Sequence, residues 1–211
     1  TRRVSKRRLP LAASVPEAAP LQGATGPGGD ARGFRLGLVA VVLLQAFLAL
    51  GYHQRGQVNF SSDQAVSALM ALEIRDHGSH PVFYWGVQYD GSLEPHLLSI
   101  AFRVLPETVE TYRLVMFALM ASSTVLVTLA VANAFGRSAG LLSGAYLATG
   151  PSFLYFKLLA SDGAYTSFFL LTAASVLLAV LLVQEPAPFK VRALSLALGL
   201  VLGVAWWVTP L

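Results

Sequence analysis

The 211 residues are 55% hydrophobic and only 12% charged, too apolar a balance for a soluble domain of this size. The chain contains no cysteine, which excludes a disulfide framework, a thiolate metal site and a cysteine nucleophile. The formal charge of +4 and pI near 9.6 do not mark a nucleic-acid binder, because the bases cluster before the first apolar run and at the ends of later ones.

Residues 1–33 mix bases with Pro, Ala and Gly and show no apolar periodicity, the pattern of a disordered basic tail. Its RRVSKRR run reads as a topology signal with some attraction to anionic lipid headgroups. Five uncharged or nearly uncharged runs follow, at 36–52, 114–135, 138–156, 163–184 and 193–211. Each is close to the roughly 20 residues that a helix needs to cross a bilayer. The fold expected for residues 34–211 is therefore all-α, a polytopic membrane bundle with about five transmembrane helices. In that arrangement ten of the fifteen bases fall on the side of the tail and five on the other. The positive-inside rule then puts the amino terminus in the cytoplasm and the 53–113 loop outside a plasma (inner) membrane. The chain starts at Thr1, and its last apolar run stops at Leu211 without a polar flank, as expected of a piece of a longer protein.

Within the loop, residues 59–105 hold five of the eleven acids and three of the four histidines. Ser61 followed three residues later by Gln64 is a capping-box signal, and Val66, Leu69, Met70 and Ile74 recur at helical spacing until Gly78. His80-Pro81 interrupts, Val82 to Gly86 reads as a short extended segment, and Tyr89-Asp90-Gly91 as a turn. A second amphipathic helix is expected from Ser92, with Leu93, Leu97, Ile100, Ala101 and Val104 on one side. Two interfacial helices joined by an aromatic turn would form a shelf on the membrane.

Beyond the loop, Gly136-Arg137 is short enough to force an antiparallel hairpin between the second and third runs. Ala139, Gly140, Ser143, Gly144 and Ala145 allow close helix approach, and Gly150-Pro151 should loosen or kink the third run. Trp206-Trp207-Val208-Thr209-Pro210 reads as an aromatic interfacial anchor.

Asp63 falls in the first turn of the first loop helix, where exposed N–H groups favour a negative charge. It reads either as a helix-start charge or as a general base toward a hydroxyl. Asp162 reads as a solvated turn residue before Gly163. Lys157, Arg103 and Arg113 flank the membrane boundary, as snorkelling residues do. Tyr84, Trp85 and Tyr89 suit stacking on a sugar or anchoring in the headgroup region. His77, His80, Asp90, Glu94 and His96 offer ligand types for a divalent metal without a recognised metal-site spacing.

The order Ser62-Asp63, then His80-Pro81-Val82-Phe83-Tyr84-Trp85-Gly86, then Tyr89-Asp90-Gly91-Ser92-Leu93-Glu94 resembles the first external loop of GT-C superfamily glycosyltransferases. Bacterial relatives of the dolichyl-phosphate-mannose protein mannosyltransferases and of the aminoarabinose transferase look nearest. The resemblance runs on through Ser161-Asp162-Gly163-Ala164-Tyr165 and the Trp206-Trp207 segment, over about residues 36–211. It implies an enzyme that moves a sugar from a polyprenyl-phosphate carrier to an acceptor hydroxyl, with inversion. It implies Asp63 as the catalytic aspartate, Asp162 as a further acid, Lys157, Arg103 or Arg113 at the donor phosphate, and Tyr84, Trp85, Tyr89 and Glu94 at the sugar or acceptor. Gln64 stands where such families often carry a second acid. The rival expectation is a non-catalytic polytopic protein, a transporter or a binding module. A transporter should carry ionisable residues inside its spans, and the five runs offer none.

Overall fold

The computed structural model describes residues 31–54, 60–87, 89–160 and 164–209. The described residues form eight α-helices and no strand: α1 (Ala31–Gln54), α2 (Ser62–His77), α3 (Leu93–Ala101), α4 (Val109–Phe135), α5 (Arg137–Ala148), α6 (Ser152–Ala160), α7 (Tyr165–Gln184) and α8 (Pro188–Val208). Four of them, α1, α4, α7 and α8, are long and apolar enough to cross a membrane. α1, α4 and α8 are longer than their apolar runs because polar turns extend them. Thr108 caps α4 six residues before its apolar run, and Pro188 opens α8 in the first turn, where its missing N–H costs nothing. α1 starts at Ala31, so the last three residues of the expected tail are helical; the rest of the tail lies outside the described residues.

The third apolar run forms two helices rather than one. α5 stops at Ala148, Thr149 and Gly150 turn back onto the Ala145 and Leu147 carbonyls, and α6 starts after Pro151. Pro151 has no N–H to continue the ladder, which is why the run breaks here. At 12 residues α5 is about 18 Å long, short of a bilayer by itself. The Tyr155 hydroxyl bridges the break by donating to the Ala148 carbonyl.

α4 is the central helix, packing against α1, α5, α6 and α7, with α8 laid against α7. The α4–α5 hairpin closes tightly at Gly140 and Gly144. A Cβ at Gly144 would lie 2.3 Å from Thr128 Oγ1, so only glycine permits this approach. A polar link crosses the same layer, where the buried Gln45 of α1 donates to Thr124 Oγ1 at 3.0 Å.

One end of the bundle carries the loop. The described bases at the other end are Arg32, Arg35, Arg137, Lys190 and Arg192, with Glu185 as the acid. The loop end holds most of the described acids.

Candidate functional site

α2 begins as its sequence dictates. The Ser61 hydroxyl accepts from the Gln64 N–H, Gln64 Oε1 accepts from the Ser61 N–H at 3.2 Å, and Gly78 ends the helix with a left-handed backbone. The Gln64 amide has a further role. It is buried, and its Nε2 donates to the Ala160 carbonyl at 2.6 Å, at the end of α6. The Tyr112 hydroxyl of α4 donates to the same carbonyl at 3.3 Å. These bonds satisfy a carbonyl at a helix end and seat α2 on the bundle.

The face of α2 packed on the bundle shares Met70 and Ile74 with the apolar stripe and adds the anchoring Gln64. Gln64, Ser67, Met70, Ala71 and Ile74 are buried, whereas Leu69 is exposed. α3 is turned, and its expected face at Leu93, Leu97, Ile100 and Val104 is not the buried one. Glu94, Pro95, Leu98 and Ser99 are buried instead, and the helix ends at Ala101. The cause is Glu94, which is 2% exposed and accepts from the Ser167 N–H at 2.9 Å and the Ser167 hydroxyl at 3.0 Å. Ala164, with a left-handed backbone, opens α7 without a side-chain cap, and the Glu94 carboxylate supplies one from another helix. Glu94, expected at the sugar, thus holds α3 on α7.

Between α2 and α3 the chain makes a small hairpin. Phe83 bridges Gly91, the Tyr84 N–H donates to the Asp90 carbonyl and the Ser92 N–H to the Val82 carbonyl. α8 clasps this hairpin, because Trp207 Nε1 donates to the Val82 carbonyl at 3.0 Å and the Gly91 N–H donates to Val208. A side chain on Gly91 would run into the Trp207 carbonyl at 2.7 Å. Trp207 therefore grips the loop, while Trp206 remains exposed.

Tyr84 stands between the loop carboxylates. Its hydroxyl donates to the Asp63 carbonyl. Burial, then the carboxylates of Asp63 and Glu94, hold the phenol above its usual pKa, so it stays protonated and a donor. Burial likewise raises the Asp90 carboxyl. The Asp63 side chain is exposed at the start of α2, beside this cluster. Trp85 and Tyr89 are exposed on the hairpin.

A groove of about 360 Å³ opens between α1, α4 and α6 on the same end of the bundle. Ala46, Ala49, Leu50, Leu114, Phe117 and Leu159 form its apolar walls, and His53, Glu110 and Arg113 stand at its polar end. Arg113 Nη1 is in hydrogen-bond contact with His53 Nδ1. Leu159 of the wall precedes the Ala160 that receives Gln64, so the groove adjoins the start of α2.

The expected residues divide accordingly. Asp63, Tyr84 and Glu94 gather in the loop cluster, and Arg113 joins the groove. Lys157 Nζ lies 5.5 Å from the Tyr165 ring centre and 6.0 Å from that of Phe156. Arg103 is exposed in the turn after α3, and Asp162 lies outside the described residues. His77 pairs with Glu73 at 2.9 Å, and the His80 and His96 rings lie nearly parallel with centroids 6.4 Å apart. No group of three metal-binding side chains gathers among the described residues. His53 and Glu110 were not expected at a site. Their signal was weak: a histidine closing an apolar run, and a Glu-x-x-Arg pair in a capped first turn.

No protein family model, curated protein or solved structure gives a significant match to this chain.

Proposed function

We propose that the chain is a membrane glycosyltransferase of the GT-C kind, or the amino-terminal part of one, that moves a sugar from a polyprenyl-phosphate carrier to an acceptor hydroxyl. The observation that carries this reading is the apolar groove ending in Arg113 and His53, set next to the helix start that exposes Asp63. An isoprenoid tail suits the apolar walls, and a phosphate suits the guanidinium. In the transfer, the Asp63 carboxylate takes the acceptor hydroxyl proton as that oxygen bonds to the anomeric carbon. The bond from that carbon to the phosphate oxygen breaks with its electron pair, and the carrier phosphate leaves toward Arg113. Attack opposite the leaving group inverts the anomeric centre.

The same reading places the loop end at the outer face of the plasma membrane, since the opposite end carries the basic excess. α2 and α3 then lie at headgroup level with Leu69, Ile100 and Val104 toward lipid, and α5 with α6 makes a fifth, broken crossing. Retention of a radiolabelled polyprenyl-phosphate sugar by the full chain in lipid nanodiscs tests the groove. The donor should be retained, and Arg113→Gln should weaken retention about tenfold, the effect of one lost charged hydrogen bond. A binding or transport module would retain no donor, and that result would reject the proposal.

A further inference from the structure

Trp206 and Trp207 are neighbours at the loop-side end of α8, yet their surroundings differ. Trp206 is 67% exposed, as a headgroup anchor would be, whereas Trp207 is partly buried against the loop hairpin. Trp207 Nε1 donates to the Val82 carbonyl at 3.0 Å, and the Val208 carbonyl accepts from the Gly91 N–H at 3.1 Å. The end of α8 thus holds both arms of the hairpin. A Cβ at Gly91 would lie 2.7 Å from the Trp207 carbonyl oxygen and 2.8 Å from its ring, so the glycine lets the indole close on the loop.

Two residues beyond Val82 stands Tyr84, whose hydroxyl donates to the Asp63 carbonyl. The next N–H, of Trp85, donates to Met70 Sδ at 3.3 Å. The hairpin therefore touches α2 at residue 63 and again two turns on, while α8 fixes where the hairpin stands. Burial and the nearby carboxylates keep the Tyr84 phenol protonated, so this link persists wherever Asp63 is ionised. Trp207 is not among the residues that line the groove between α1, α4 and α6.

We propose that Trp207 is a positioning residue for the transfer, which through Val82 and Tyr84 holds the Asp63 backbone where its carboxylate meets the acceptor hydroxyl. The proposal rests on the glycosyltransferase reading above. A general base must lie within hydrogen-bond reach of the proton it takes, and a displacement of about 1 Å can cost on the order of 10²-fold in rate. Because other residues build the donor groove, loosening Trp207 should slow transfer and leave donor binding intact. A residue with a merely structural role would not separate the two.

Single-turnover transfer from a radiolabelled polyprenyl-phosphate sugar by the full protein, with donor retention and a thermal melt in parallel, provides the test. Trp207→Phe keeps an aromatic ring beside the hairpin and removes the N–H. It should lower the transfer rate about tenfold, the effect of one lost hydrogen bond, with donor retention unaltered. Tyr84→Phe breaks the next link and should lower the rate by a similar factor, and the double variant should be no slower than the slower single, since both cut one path. Gly91→Ala, which forces the hairpin off Trp207 with every hydrogen-bonding side chain in place, should repeat the loss. Trp206→Phe should transfer at the unaltered rate. If Trp207→Phe does not fold, Tyr84→Phe and Gly91→Ala decide. Full transfer by these folded variants, multiplied losses in the double variant, donor retention lost with the rate, or an equal loss in Trp206→Phe would overturn the proposal. Full transfer by Asp63→Asn would instead reject the function on which it rests, and the proposal with it.

Discussion

Gln64 shows how one side chain sets the geometry of the loop. Its carbonyl closes the capping box of α2, and its amide donates to Ala160 at the end of α6. A carboxylate could do the first but not the second, because it has no hydrogen to donate. Gln64→Glu should therefore keep the helix start while losing the anchor. The expected cost is about 1–3 kcal/mol, the range for an unmatched buried polar group, read as a lower melting temperature in detergent. An unchanged melting temperature would show that α2 is held by other contacts. A second acid at this position would face the Ala160 carbonyl, so Gln64 serves as an anchor and Asp63 remains as the exposed carboxylate.

At the scale of elements, the legible parts were those governed by local chemistry. The α2 cap, the Gly78 stop and the Gly150-Pro151 interruption follow from residues a few positions apart. The anchor of α2 and the buried face of α3 did not, because long-range polar bonds decide them: Gln64 reaches across 96 positions and Glu94 across 73. Apolar spacing in a short helix that lies beside a membrane also fails to distinguish a face toward protein from one toward lipid. The α4–α5 contact was legible from its small residues and gives a two-sided prediction. Gly144→Ala places a methyl group against Thr128 and should cost about 1–3 kcal/mol as overpacking. Gly199→Ala on α8 meets no atom within 4 Å and should be neutral or stabilising by up to about 1 kcal/mol from helix propensity. Thermal melts of the two variants compare them directly, and equal effects would contradict the close packing at Gly144.

For the whole molecule, helix order and charge division work together. α1, α4, α7 and α8 bring their loop-side ends to one surface, where Asp63, Tyr84, Glu94, Arg113 and Trp207 come from five different segments. The apolar runs made the bundle legible, and the resemblance singled out Asp63. The groove was not legible, since its walls are ordinary apolar residues of three helices and its polar end joins His53 to Arg113 across 60 positions. Tyr84 joins the Asp63 carbonyl to the loop hairpin, and Trp207 ties that hairpin to α8, so the proposed base rests on the bundle rather than on a free loop.

The most direct measurement is single-turnover transfer from a radiolabelled polyprenyl-phosphate sugar by the full protein and its Asp63→Asn variant, with donor retention recorded in parallel. The account predicts that the variant retains the donor and inserts normally while transfer falls by at least 10²-fold, the usual contribution of a general base. Transfer at the unaltered rate in Asp63→Asn would contradict it.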